Sequence, residues 1–200
     1  VTAAFITAVP MGVIAAVNQD RWPDYLIRMF LVLGLSIPSF WFGILVLLMM
    51  LLWFRWVPPI IYQNLWENPL GNLSVMIWPA MVMAWHFAAY IARVTRSNVL
   101  EVMRQDYIRT AHSKGLKQNI ILWRHVLRNA LIPVVTVAGV YLGTLMGGTV
   151  VLEIVFNLPG IGHAVVNAVR ERDYPVVQSL SMLFIFFVLY TTRMVLRRAA

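Results

Sequence analysis

The 200-residue sequence contains no cysteine and has only eight acidic residues against sixteen basic ones. Without cysteine there is no disulfide framework, thiolate metal site or cysteine nucleophile. A Walker-type phosphate loop and a GxGxxG fingerprint are also missing, so the residues themselves argue for no nucleotide site. Charged residues make up only 12% of the chain, whereas 60% are hydrophobic, too apolar for an ordinary water-soluble domain of this length. Asp, Glu, Lys and Arg are absent from five apolar stretches: Val1 to Val17, Phe30 to Phe54, Leu73 to Ala92, Asn129 to Leu152 and Tyr174 to Thr192. Crossing a hydrocarbon core takes roughly 20 helical residues, and lipid offers backbone groups no hydrogen-bond partners. The expectation is therefore an all-α integral membrane protein with five transmembrane helices. The lack of Asp, Glu, Lys and Arg in these spans, with His86 the exception, argues against a proton- or sodium-coupled transporter and against a membrane-embedded enzyme; a secondary transporter or channel is the alternative kept open.

The excess of basic residues raises the question of nucleic acid, and their placement answers it. Eight of them (Arg93, Arg96, Arg104, Arg109, Lys114, Lys117, Arg124 and Arg128) lie between Ala92 and Leu131. By the positive-inside rule that segment faces the cytoplasm. Alternating the spans puts Arg21, Arg28, Arg193, Arg197 and Arg198 on the same side, leaving only Arg55, Arg170 and Arg172 outside. These residues abut spans and therefore mark topology; no nucleic-acid partner is expected. Arg93 and Arg96, at the end of the third span, are read as interface anchors. Val1 opens directly within an apolar span with no initiator Met or basic leader, so the chain is expected to begin mid-protein.

Local signals refine this reading. Pro10, Gly12 and the alanines of the first span suit close helix packing. Asn18 to Arg28 reads as a polar turn, and Pro38 as a kink within the second span. Arg55 to Asn72, with Pro58 and Pro59, reads as an irregular connection. From Ala92 to Leu131 the chain is too polar to span. Val99, Val102, Met103, Tyr107 and Ala111 recur at helical spacing and predict one amphipathic helix, stopped by Gly115. A second short helix then leads into the fourth span, with Pro133 in its first turn. The apolar face needs a cover, either a partner protein or the bilayer interface. Gly139, Gly143, Gly147 and Gly148 form a small-residue seam, and the outside loop at 153–173 combines a turn with a re-entrant or interfacial helix. Glu153 and the Arg172 to Pro175 group are expected to pair structurally. Ser36, Ser39, His86, Thr136, Tyr141 and Thr144 are the candidate polar groups of a pathway. The scattered His86, His112, His125 and His163 predict no metal site.

The run Asp106-Tyr107-Ile108-Arg109-Thr110-Ala111-His112-Ser113-Lys114-Gly115-Leu116, with Arg124 to Pro133 after it, closely resembles the cytoplasmic coupling loop of ABC importer permeases. Arg109-Thr110-Ala111 stands where many such loops carry Glu-Ala-Ala, and this form resembles the B-type permease of the dipeptide, oligopeptide, nickel and glutathione importers. Ile37 to Phe40, Ile91 to Arg96, Leu158 to Gly162 and Arg172 to Pro175 extend the likeness over nearly all the chain. The resemblance implies a type I ABC importer transmembrane domain over residues 1–200, with a coupling loop at 97–131. Asp106, Tyr107, Arg109, Thr110, Ala111, Lys114 and Gly115 would couple it to the ATPase. It also implies a C-type permease as heterodimer partner, two cytoplasmic ATP-binding-cassette subunits that bind the ATP and Mg, an external solute-binding protein, and a bacterial or archaeal plasma membrane. It implies that the two loop helices dock into the ATPase subunits through the apolar face left uncovered above. Family members carry a further span and outside loop before the region of Val1, so the full-length protein is expected to have six spans. The last ten residues depart from the family's acidic, Asp-Pro-Arg ending.

Overall fold

The computed structural model describes residues 2–57, 64–148 and 150–199, with side chains for all of these except residues 3, 142–148, 191–192 and 194–199. Pro58, Pro59 and the side chain of Thr144, all singled out from the sequence, lie outside the described part, and of Gly143, Gly147 and Gly148 only the helical backbone is described. The described residues form helices and short connections, with no strand among them: α1 (Thr2–Val17), α2 (Trp22–Ser36), α3 (Ser39–Phe54), α4 (Pro69–Met103), α5 (Asp106–Ser113), α6 (Gln118–Ile120), α7 (Leu127–Gly148), α8 (Val150–Val155), α9 (Ile161–Glu171) and α10 (Tyr174–Ala199). A six-residue π-helical segment, Ile121–Val126, fuses α6 to α7. By length and composition, α4 and the stretch Gln118–Tyr141 each suffice to cross a membrane, and α2 and α3 pass the same test only when taken together, as a broken span or a re-entrant loop. Ala4–Val17 and Tyr174–Tyr190 are shorter apolar runs at the places of the other two expected spans.

Two compact units divide the chain, and the first is built on α1, α2, α5, α6, α4 from Trp85 onward and α7 up to Val140. Small residues set its spacing. Ala4, Ala8, Ala15 and Ala16 of α1 are buried, and a Cβ on Gly12 would sit 2.6 Å from the Ala92 carbonyl oxygen and from the Thr95 Cβ. A Cβ on Gly34 of α2 would sit 2.7 Å from the Ala89 Cβ and the Trp85 Nε1, beside the tilted contact of Phe30 with Trp85. Such close backbone approach is how apolar helices gain packing energy where the hydrophobic effect is weak.

Beyond these contacts, α2 reaches α4 through charge. Asp24 is fully buried; its Oδ1 accepts from Arg96 Nε at 2.8 Å, and its Oδ2 accepts from Arg96 Nη2 at 2.8 Å, Arg28 Nη2 at 2.9 Å and the Asp20 N–H at 3.0 Å. Asp24 meets Arg96, and Gly34 meets Trp85 and Ala89. Rising numbers on α2 thus meet falling ones on α4, and the helices run antiparallel.

The second unit holds α3, α8, α9, α4 up to Ala84, α7 from Tyr141 and α10 through Met194. Val75, Val82, Leu152, Phe156 and Leu158 form its buried cluster, flanked by Phe42, Val46 and Trp78. The turn between α8 and α9 is held by capping. Glu153 Oε2 accepts the His163 N–H at 2.9 Å, and its carboxylate occupies the space where a Gly160 side chain would stand. Asn157 and Arg172 take left-handed backbones after α8 and α9, each closed by a pair of Schellman hydrogen bonds. Asp173 Oδ1 accepts the Val176 N–H, capping α10 with Pro175 in its first turn. The Glu153 and Arg172 to Pro175 groups are therefore helix caps. Leu52, Trp53, Leu70, Met182 and Phe186 are each more than 70% exposed, which suits a hydrocarbon solvent and not water.

Four expectations are corrected. The polar turn covers only Asn18 to Arg21, because α2 begins at Trp22. Pro38 does more than kink a span: α2 stops at Ser36 and α3 starts at Ser39, since proline removes a donor and disfavours helix at Ile37. At the far end of the third apolar run, α4 passes Ala92 without a break, and Arg96 is an ion-pair partner of Asp24 and not a surface anchor. Pro133 lies inside α7, because the helix entered at Gln118 continues through the π-helical segment. Arg93 is exposed, with its guanidinium 5.8 Å from the Tyr90 ring, as an anchor would be.

Gly12→Leu is expected to destabilise the packed helices by about 1 to 3 kcal/mol, because the added side chain meets backbone. Unfolding in detergent should shift to lower denaturant, while Ile6→Leu at an exposed site of the same helix should leave the midpoint unchanged. An unshifted Gly12→Leu midpoint would show that α1 is not held at this distance from α4.

Candidate functional site

The form of the polar segment after α4 follows from a break that periodicity does not show. Arg104 and Gln105 interrupt the helix, and Gln105 is extended. The interruption rotates α5 relative to the end of α4. Val99 remains fully buried on α4, with Val102 and Met103 packed at the edge of the same cluster. On α5 the buried pair is Ile108 and Ala111, while Tyr107 is 43% exposed. The predicted single helix with Tyr107 on its apolar face is thus two helices, with Ile108 in that place.

Ile108 and Ala111 sit among Ala16 of α1, Val99 of α4 and Ile121, Val126, Leu127 and Ala130 of the π-helical segment and α7. This chain therefore covers the apolar face of α5 itself, and the expectation that a partner or the bilayer interface covers it is overturned for these residues. Asp106, Arg109, Thr110, His112, Lys114 and Gly115 are exposed. Asp106 and Arg109 approach to 3.5 Å with both side chains largely in the open, a pair worth little energy and readily exchanged for another partner. The Thr110 hydroxyl donates to the Asp106 carbonyl at 3.0 Å and the Ser113 hydroxyl to the Arg109 carbonyl at 3.1 Å. Asn129 Nδ2 donates to the Tyr107 hydroxyl oxygen at 2.9 Å, tying α5 to the base of α7. Of the seven residues predicted to couple, six line this open side and Ala111 is an anchor on the buried side.

Gly115 ends α5 as expected. Its φ is +74°, its N–H donates to the His112 carbonyl at 2.9 Å, and the Leu116 N–H donates to the Ala111 carbonyl at 3.4 Å, the two bonds of a Schellman motif. A Cβ at Gly115 meets nothing within 4 Å, so backbone conformation is what glycine provides here.

The predicted pathway groups are spread along the chain. Ser36 and Ser39 flank the break between α2 and α3, and His86 is half-buried in α4. The Thr136 hydroxyl donates to the Ile132 carbonyl of its own helix at 3.1 Å, and Tyr141 is half-buried on α7. What sequence reasoning missed is the carboxylate of Asp24. Its spacing to Arg28 is the i, i+4 of a helical ion pair, a visible signal, but its bidentate partner Arg96 lies 72 residues away.

With this architecture in view, comparison with known proteins is decisive at the level of family. Residues 8–199 match the family model described as "Binding-protein-dependent transport system inner membrane component", and the chain belongs to that family of membrane proteins. Among curated relatives, a "Putative peptide transport system permease protein" of Brucella suis biovar 1 is 45% identical over 188 residues, covering 92% of this chain and 60% of the relative. An oligopeptide transport system permease protein of Bacillus subtilis is 38% identical over 90% of this chain and 58% of its own length. A glutathione transport system permease protein of Escherichia coli strain K12 is 39% identical over 90% and 56%. The chain thus spans about 60% of the length of the curated relatives it matches.

Gly115→Val places a β-branched side chain at positive φ and is expected to cost about 1 to 3 kcal/mol locally. Gly115→Asn, which tolerates that backbone better, should cost less. Hydrogen exchange at the Leu116 amide reads the difference directly: faster in the Val variant, nearly unchanged in the Asn variant. Equal exchange in all three proteins would mean that the Schellman turn does not depend on glycine.

Proposed function

We propose that this chain is a B-type permease subunit which, with a homologous C-type subunit, forms the translocation pathway of an ATP-driven importer for peptides or similar small solutes. Two cytoplasmic ATP-binding-cassette subunits bind and hydrolyse the ATP with Mg, an external solute-binding protein delivers the solute, and this chain itself is not an enzyme. The observation that carries the reading is α5: a short helix seated by Ile108 and Ala111 on its own chain, with Asp106, Arg109, Thr110 and Lys114 left open to a partner. A helix fixed on one face and polar on the other passes displacement into the helices that hold it. Tyr107 and Gly115 set its orientation, and Ala111 acts through the seat and not by touching the ATPase. The names of the relatives, permeases of peptide, oligopeptide and glutathione transport systems, support the solute class.

In this reading 97–131 and the C-terminus face the cytoplasm of a bacterial or archaeal cell and 153–173 faces outside, as the distribution of basic residues supports. Solute contacts are sought among Ser36, Ser39, His86, Thr136, Tyr141 and Thr144. The test is uptake by the full-length parent, reconstituted in proteoliposomes with its partner subunits and loaded binding protein. Uptake should require ATP and survive a protonophore. Uptake that persists without ATP and collapses with the proton gradient would replace this reading with that of a secondary transporter.

A further inference from the structure

The contact between Asp24 and Arg96 is more constrained than packing alone requires. A carboxylate with no exposed surface takes both oxygens to one guanidinium, at 2.8 Å each, across 72 residues of sequence. Burying such a pair is a poor way to add stability, because desolvation consumes most of the attraction and apolar residues of similar volume often hold a fold as well. What a forked arginine–carboxylate pair supplies is register: two parallel hydrogen bonds fix both distance and angle.

Both partners adjoin the seat of α5. Arg96 precedes Val99, a seat residue, by about one turn of α4. Asp24 follows the Asn18 to Arg21 turn that links α2 to Ala16, the contribution of α1 to the same seat. There α1 meets α4 through Gly12, against Ala92 and Thr95, and through Val13 and Ala16, in the cluster of Val99. On its other side, Arg96 borders an open polar cleft with Ser97, Leu100, Glu101, Arg104 and Asp106. Val99, Leu100, Val102 and Met103 of α4 pack with Ile108 and Ala111 in the seat, so a push on α5 reaches α4 through it.

We infer that Asp24 and Arg96 are a positioning pair: they lock the α1–α2 hairpin to α4, so that displacement of α5 moves the seat as one body and is not lost as slip of α1 along α4. This rests on the coupling role proposed above for α5.

The test uses the full-length parent with its partners in proteoliposomes and reads solute imported per ATP hydrolysed, together with the amount of assembled complex. Asp24→Leu combined with Arg96→Met replaces the pair by apolar groups and leaves Arg28 its second partner, Asp20, at 3.3 Å. This double variant should assemble and hydrolyse ATP, yet import roughly tenfold less solute per ATP, a fall within the range of coupling between sites. Arg96→Lys, which keeps the charge and loses the fork, should lower the same ratio and decides the matter should the double variant fail to assemble. An unchanged ratio in either assembled variant would overturn the inference and reduce the pair to a structural contact. Failure of the unaltered complex to import with ATP would instead sink the permease reading, and this inference with it.

Discussion

The closeness with which α1 and α2 approach α4 is the constraint on which the first unit depends. At Gly12 and Gly34 the neighbouring atoms leave no room for a side chain. That distance lets a buried carboxylate on α2 reach Arg96, and it brings Ala16 against the cluster that receives α5. Larger residues at the two glycines would separate the helices and open both contacts at once. Small residues thus define the spacing, charge defines the register, and the polar helix α5 is seated on the result.

Such seating changes how a polar loop of this kind is understood. An amphipathic helix viewed alone asks for a partner to cover its apolar side. Here the apolar side is already used: Ile108 and Ala111 are buried by the chain that carries them. The break at Arg104 and Gln105 makes this possible by turning α5 so that Ile108, and not Tyr107, faces inward. Tyr107 instead receives the Asn129 amide and links α5 to the entry of α7. The exposed side is left with weakly paired charge, as in Asp106 and Arg109, which a partner can rearrange at little cost.

Much of this was legible in the residues, and the failures share a cause. Apolar runs announced the helices, small residues in the first run announced its close packing, and Gly115 announced the stop after α5. Each is a local signal, set within a few residues along the chain. The missed features are tertiary. No glycine or proline marks the break at Arg104 and Gln105, which only the distant seat explains. Asp24 looked like a turn residue because its main partner is 72 positions away. Glu153 and Asp173 looked like members of charge pairs because their acceptor roles are toward backbone N–H groups of helices that follow them. Pro38 was visible as a disturbance, yet the full stop it makes between Ser36 and Ser39 was not.

The central claim is that α5 meets its partner with the open polar face while the apolar face stays within the chain. Site-specific photocrosslinking in the assembled full-length complex measures this most directly, with a photoreactive residue placed in turn at Arg109 and at Ile108. The account predicts that the probe at Arg109 captures an ATP-binding-cassette subunit and that the probe at Ile108 crosslinks only within the permease. Capture of the ATPase from Ile108, with none from Arg109, would contradict it.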